Sequence, residues 1–90
     1  YYIPGVTGMT AGMPELRMLL DIPGVAGIKM SDWNIFLLRS VVLEYPEKVV
    51  YSGFDEMLVP GLLYGADGCI GTWANLQRYT RACARAGRMP

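Results

Sequence analysis

The chain has 90 residues, 52% of them hydrophobic, and its eight basic residues balance its eight acidic residues. Because no basic run occurs, the sequence lacks the basic surface of a nucleic-acid-binding protein and the polybasic patch of a membrane-surface protein. The longest apolar stretches fall far short of the ~18 residues of a membrane-spanning helix. Apolar and aromatic residues are spread along the whole length, which predicts a folded rather than a disordered chain.

The first third of the chain predicts a strand end, a turn, a helix and a second strand. Residues 1–4 have no basic leader and no cleavage site of a signal peptide, and they look like the end of a strand. A Gly/Thr-rich turn follows over residues 5–12. Pro14 suits the first turn of a short helix, which a Pro-Gly pair ends. The apolar run over residues 25–28 then predicts a strand that ends next to Lys29.

The middle of the chain predicts a longer helix and a third strand. Asp32 suits the N-cap of this helix, and Pro46 stops it. Residues 49–51 form the next β-type run. The predicted helix has apolar side chains at helical spacing, namely Ile35, Phe36, Leu38, Val42 and Tyr45.

The last part repeats the alternation of helix and strand. Asp55 and Glu56 place negative charge at the start of a third helix, where the helix dipole favours it. A run over residues 68–72 predicts the last strand, and residues 75–86 predict a final helix. Short apolar strands alternating with amphipathic helices indicate parallel βαβ units.

Four such strands cannot close a (β/α)8 barrel, which needs about 250 residues. We therefore expect an α/β fold in which the chain is the C-terminal half of a (β/α)8 barrel. It would extend from the end of the fifth strand to the eighth helix. Residues 1–90 would then form a single incomplete domain.

Chemically useful side chains follow each predicted strand. Positions beyond the carboxyl ends of parallel strands converge on one face, where ligands bind. The sequence therefore predicts a site formed by Tyr1, Lys29, Ser31, Asp55, Glu56 and Thr72.

Lys29 directly follows an apolar run and precedes Met30, so burial would disfavour its charged form. A neutral lysine amine is the form that attacks a carbonyl carbon. Alternatively, its ammonium group reaches solvent beyond the strand end. The cysteines, Cys69 and Cys83, do not have the spacing of metal ligands, and the chain has no histidine. We expect buried, reduced thiols, as in a cytoplasmic protein.

Four motifs together resemble the N-acetylneuraminate lyase and dihydrodipicolinate synthase superfamily of pyruvate-dependent aldolases. They occur in the order and at the spacing of that family and cover nearly the whole chain. The motifs are Tyr-x-Ile-Pro at residues 1–4, Gly-Ile-Lys-x-Ser at 27–31, Ser-Gly-Phe-Asp-Glu at 52–56 and Gly-Ala-Asp-Gly-x-Ile-Gly-Thr at 65–72.

The resemblance implies a Schiff-base mechanism. Lys29 would condense with the keto carbon of the substrate, and the resulting iminium would act as the electron sink, so that no metal or organic cofactor is implied. Tyr1 matches the catalytic tyrosine that moves a proton as the carbon–carbon bond breaks, although it could be an ordinary aromatic residue at a strand end. Ser31 would hydrogen-bond a substrate hydroxyl or, alternatively, cap the helix beginning at Asp32.

Two positions favour the N-acetylneuraminate lyase branch. Where dihydrodipicolinate synthases usually carry an arginine for a second carboxylate, this chain has Val6, which cannot make that contact. Gly53, Asp55 and Glu56 reproduce the Gly-x-Asp-Glu motif of sialic acid lyases, whose carboxylates accept hydrogen bonds from polyol hydroxyls. The acidic pair could also serve only as charges in the first turn of a helix. Thr72 lies where these lyases usually have a serine that binds a substrate hydroxyl.

The resemblance implies cleavage of N-acetylneuraminate, or of a related 2-keto-3-deoxy sugar acid, to pyruvate and an aldehyde sugar. The intact parent would be a homotetramer. The carboxylate-binding loop of the family lies outside this sequence, so we expect the isolated 90 residues to be inactive. The alternatives are a dihydrodipicolinate synthase-like or other 2-keto-3-deoxy acid aldolase, a non-catalytic relative that binds a keto acid, and a structural half-barrel.

Overall fold

The computed structural model of the chain describes residues 1–71. The strands in this part are β1 (Gly27–Met30), β2 (Val49–Ser52) and β3 (Gly68–Cys69). Its helices are α1 (Pro4–Thr7), α2 (Met13–Leu20), α3 (Ile35–Glu44) and α4 (Leu58–Leu63), with a 3-10 turn at Asp55–Met57. The predicted final helix, residues 75–86, lies outside the described residues.

The three strands form one parallel sheet in the order β1-β2-β3. Tyr2 adds a parallel bridge to Met30 at the free edge of β1. The carboxyl ends of four consecutive strand segments therefore point the same way. The predicted alternation of parallel strands with helices is confirmed for this part of the chain.

The helices cover one face of the sheet, and the other face stays open in the described residues. Along β2, Val50 and Ser52 are buried, whereas Val49 and Tyr51 are each 37% exposed. Successive side chains of a strand point to opposite faces, so the buried pair marks the helix side. Each large side chain fully buried there contributes ~1.5–3 kcal/mol. The core contains Tyr2, Ala11, Leu16, Leu20, Met30, Leu37, Leu38, Val41, Tyr45, Val50 and Ala66.

The N-cap of helix α3 lies two residues later than predicted. Its N-cap is Asn34, whose side-chain oxygen accepts a hydrogen bond from the backbone N–H of Leu37 at 3.1 Å. The prediction of Asp32 as the cap was therefore wrong. Of the predicted apolar face, Leu38 and Tyr45 are in the core and Ile35 and Val42 pack against it, but Phe36 is 83% exposed, so its placement on that face was wrong.

The segment after Tyr2 is partly helical rather than a continuous turn. Pro4 supplies the first residue of α1, where its missing N–H costs no hydrogen bond. The helix ends at Gly8, which has a φ of 72° and donates its N–H to the Pro4 carbonyl oxygen at 2.9 Å. Only a glycine adopts this left-handed cap without strain.

Two side-chain contacts join α2 to the C-terminal end of α3. Arg17 Nε donates to Glu44 Oε2 at 2.6 Å, and this partner raises the pKa of the guanidinium. The Tyr45 hydroxyl donates to Asp21 Oδ1 at 2.8 Å. Burial, together with that hydrogen bond to the carboxylate, raises the pKa of Tyr45 to about 12.

Asp67 gives the Gly-Ala-Asp-Gly motif a structural role. Its Oδ2 accepts a hydrogen bond from the backbone N–H of Val50 at 2.8 Å, and its own N–H donates to the Val50 carbonyl oxygen at 2.8 Å. The start of β3 is thereby fixed against the middle of β2. In residues 1–71, no helix is long and apolar enough to cross a membrane.

Candidate active site

Tyr1 and Lys29 lie together because of a backbone pairing one residue further along the chain. The N–H of Tyr2 donates to the Lys29 carbonyl oxygen, and the N–H of Ser31 donates to the Tyr2 carbonyl oxygen, each at 2.9 Å. Since this register pairs Tyr2 with Met30 on the helix side, Tyr1 and Lys29 share the open face. The Lys29 Nζ atom lies 4.8 Å from the centroid of the Tyr1 ring.

Lys29 lies inside β1 rather than beyond its end, and its side chain is half-buried. It borders an open depression of about 450 Å³, a volume within the range of small-molecule sites. The depression is lined by Lys29, Gly53, Phe54, Asp55, Glu56, Ile70 and Gly71. The alternative that Lys29 lies beyond the strand end is therefore wrong, and its amine contacts the Tyr1 ring.

The acidic pair follows β2 directly. Asp55 and Glu56 begin the 3-10 turn that leads into α4, so they are both first-turn charges and lining residues of the depression. A Cβ at Gly71 would overlap the Asp55 carboxylate, and this glycine therefore lets the chain after β3 approach Asp55 closely. The two readings of the acidic pair are compatible in this geometry.

Ser31 lies behind the depression rather than on its surface. Its side chain is buried, and a Cβ at Gly53 would overlap the Ser31 hydroxyl. The first glycine of the Gly-x-Asp-Glu motif is therefore required by the close approach of the chains that follow β1 and β2. Direct contact of Ser31 with a substrate stays a prediction, and its capping of a helix at Asp32 is wrong because α3 begins at Ile35.

The pKa of the Cys69 thiol depends on the charges of both Asp55 and Lys29. Its thiol lies 3.7 Å from the Phe54 carbonyl oxygen, to which it donates. Burial raises the pKa of the Cys69 thiol, the charge of Asp55 raises it further, and the charge of Lys29 lowers it. The Cys69 thiol is partly buried, which is less than the buried thiol that the sequence analysis predicted. Cys83 lies outside the described residues.

An aromatic pair at the edge of the depression was missed by the sequence reasoning. The rings of Trp33 and Phe54 have centroids 4.5 Å apart and planes tilted by 31°. Trp33 follows β1 and Phe54 follows β2, so their rings meet across the carboxyl ends of two neighbouring strands. Because 20 residues separate them, the sequence carries no local signal of this contact.

The structure thus brings together Lys29, Gly53, Asp55 and Glu56 around one depression, with Tyr1 against the lysine. Thr72 lies outside the described residues. Within residues 1–71, no group of three or more cysteine, aspartate and glutamate side chains forms a metal-binding cluster.

A model of the dihydrodipicolinate synthetase family matches residues 1–84. The chain belongs to this family. The N-acetylneuraminate lyase of Lactiplantibacillus plantarum is 41% identical over 76 residues, which are 84% of this chain and 26% of that protein. The lyase of Escherichia coli is 34% identical over 76 residues, with the same shares of the two chains.

Solved structures agree with these sequence relatives. The N-acetylneuraminate lyase of Fusobacterium nucleatum complexed with pyruvate has a TM-score of 0.80 and 31% identity, covering 94% of this chain and 30% of that one. CdNal from Clostridium difficile in complex with mannosamine has a TM-score of 0.78 and 31% identity, covering 82% and 26%. The family and its N-acetylneuraminate lyase branch, predicted from four motifs, are confirmed.

The chain spans about a quarter of the length of the curated relatives that it matches. Together with the parallel sheet and its helices, this confirms the predicted fold as part of a (β/α)8 barrel. The curated relatives that it matches are lyases.

Proposed function

We propose that the full-length protein containing this chain is a Schiff-base aldolase that cleaves N-acetylneuraminate or a related 2-keto-3-deoxy sugar acid. The observation that carries the proposal is the position of Lys29, which is half-buried in β1, contacts the Tyr1 ring and borders a depression lined by Asp55 and Glu56. An amine, a phenol and carboxylates are the groups that imine formation, proton transfer and polyol binding require.

The proposed reaction begins when the neutral Lys29 amine adds to the keto carbon of the substrate and water leaves. The electron pair of the bond that breaks then moves into the iminium, which gives an enamine of pyruvate. In this step the Tyr1 phenol relays a proton: its oxygen accepts the proton of the substrate hydroxyl that becomes the aldehyde, while its own proton passes to the substrate carboxylate. Protonation of the enamine and hydrolysis of the imine release pyruvate and restore the lysine.

The charge of the lining favours a sugar acid with a single carboxylate over a substrate with two. Asp55 and Glu56 accept hydrogen bonds from hydroxyl groups, but they would repel a second carboxylate. Val6 is 82% exposed in α1 and offers no charge to hold such a group. A neutral polyhydroxylated chain therefore suits this side of the site better than a dicarboxylic acid.

Trapping with borohydride tests the proposal at a single residue. The chain has lysine only at positions 29 and 48, and Lys48 donates to the Val25 carbonyl oxygen at 2.7 Å, away from the depression. We expect pyruvate and borohydride to modify Lys29 in the full-length protein. Because trypsin does not cleave after an alkylated lysine, the adduct would appear in the peptide spanning residues 18–39.

The matched variants are Lys29→Met, which should abolish the adduct and turnover, and Lys48→Met, which should retain both. Absence of an adduct on the full-length wild-type protein would contradict the aldolase proposal. An adduct without turnover of any sugar acid would instead favour a relative that binds a keto acid without catalysis. The isolated 90 residues should release no pyruvate, and measurable release would contradict that part.

A further inference from the structure

We infer that Trp33 and Phe54 form the apolar wall that recognises the acyl group of an N-acylated sugar acid. This inference rests on the proposed aldolase function and assigns a specificity role to two residues that the reaction chemistry does not use. Phe54 lines the depression that Lys29 borders, and Trp33 contacts the Phe54 ring with the two centroids 4.5 Å apart.

The position of the pair relative to the reacting groups is the first argument. Phe54 immediately precedes Asp55 and lines the depression together with Lys29. Trp33 packs against the Phe54 ring rather than in the hydrophobic core on the helix side. The aromatic wall therefore lies next to the carboxylates that we propose to bind hydroxyl groups. Trp33 also follows Lys29, whose amine we propose to bind the keto carbon, by four positions in the sequence.

Exposure is the second argument. Trp33 is 60% exposed although it is one of the largest apolar side chains in the chain. An indole that contacts one ring and leaves much of its surface open can bury an apolar ligand group there, because aromatic walls beside a few polar groups are typical of ligand sites.

The loop that holds Trp33 is anchored on both sides, which is the third argument. The N–H of Ser31 donates to the Tyr2 carbonyl oxygen, and the Asn34 side chain caps α3. Trp33 lies between these two anchors, so its backbone position is fixed before a ligand binds. A fixed aromatic surface loses little conformational entropy on binding.

The combination of charges and rings indicates which ligand group would bind. A polyol segment finds acceptors in Asp55 and Glu56, but it has little apolar surface to place against two rings. An acetamido group has a methyl that suits the rings. A short, unacylated keto acid would use Lys29 and the depression without needing the wall, so the pair would distinguish acylated from unacylated substrates.

A matched pair of substrates tests this inference in the full-length protein. One is N-acetylneuraminate, and the other is the nine-carbon keto acid with a hydroxyl in place of the acetamido group. We expect Trp33→Ala to raise KM for the acylated acid ~10-fold, since one buried apolar carbon is worth about 10-fold or more in specificity. Its kcat, and both constants for the hydroxyl analogue, should stay unchanged, because the wall binds substrate and transition state alike.

Trp33→Phe should keep most of the preference, and Phe54→Leu should reduce it. Phe36→Ala is the control, because Phe36 is an aromatic residue that is 83% exposed on α3. Equal changes in KM for both substrates, or no change, would overturn the inference. If Trp33→Ala does not fold, the KM ratio of Phe54→Leu decides it, and a ratio equal to wild type would overturn the inference.

Failure of the proposed function is distinguishable from failure of this inference. The borohydride adduct of pyruvate on Lys29 is measured for every variant, and the wall should not affect it because pyruvate has no acyl group. A missing adduct on the wild-type protein would overturn both proposals. A normal adduct with an unchanged KM ratio would overturn the aromatic wall alone.

Discussion

The Lys29 amine lies 4.8 Å from the centroid of the Tyr1 ring, in a cation–π contact with the ring face. The ring can thus position the amine while the hydroxyl takes part in proton transfer. Because the parallel bridge between Tyr2 and Met30 sets this contact, the backbone holds the two groups together. The two roles of Tyr1 can be separated by removing the hydroxyl alone.

Tyr1→Phe should retain imine formation and lose cleavage. The variant keeps the ring beside Lys29, so we expect a normal yield of the borohydride adduct with pyruvate in the full-length protein. Loss of the proton-transfer group should lower kcat for the sugar acid by roughly 10²–10⁴-fold. Tyr64→Phe, at an exposed tyrosine after α4, is the control and should change neither quantity. An unchanged kcat for Tyr1→Phe would contradict the role of the phenol.

Gly53→Ala should destabilise the protein through a steric clash. A Cβ at position 53 would overlap the Ser31 side chain, and overpacking of this kind typically costs ~1–3 kcal/mol. Gly5→Ala is the matched control, since a Cβ there meets no atom within 4 Å. Urea unfolding of both variants measures the difference. In the double variant with Ser31→Ala, the loss should be smaller than the sum of the two single losses, and strict additivity would contradict the contact.

The sequence predicted the parts of the fold that depend on local pattern. Strand β2 and helix α2 lie where apolar runs and proline signals indicated, because hydrophobic period and backbone chemistry act over a few residues. Local chemistry could not choose between Asp32 and Asn34 as the cap of α3, since both side chains cap well. The burial of Leu37 and Val41 decided that question, and it depends on the sheet beneath the helix.

The candidate site likewise has residues that the sequence predicted and contacts that it did not. Lys29 and the acidic pair were found from motifs, because each lies close to the carboxyl end of a short apolar run that is visible in the sequence. The contact of Trp33 with Phe54, and the burial of Ser31 against Gly53, join segments about 20 residues apart. Such contacts follow from the register of β1 against β2, which no local pattern specifies.

The hydrogen bond from Tyr45 to Asp21 should make stability depend on pH in the alkaline range. Burial and this bond raise the pKa of Tyr45 from 10.0 to about 12. An unfolded chain would release the phenol proton near pH 10 while the folded chain keeps it, so the stabilisation is complete below pH 10 and falls as the pH rises towards 12. Tyr45→Phe should be less stable than wild type at pH 8, and the gap in urea midpoint should narrow above pH 10. A constant gap would contradict the shift.

Alkylation of Cys69 should report the charges of the site without requiring turnover. The charge of Asp55 raises the pKa of this thiol and the charge of Lys29 lowers it. Since the thiolate is the reacting species, Asp55→Asn should speed alkylation by iodoacetamide at neutral pH, and Lys29→Met should slow it, each severalfold. The rate is measured on the Cys69 peptide by mass spectrometry, which separates it from Cys83. Glu56→Gln is the control, because Glu56 does not contribute to the shift of this thiol. Faster alkylation in Lys29→Met would contradict the proximity of amine, carboxylate and thiol on which the candidate site depends.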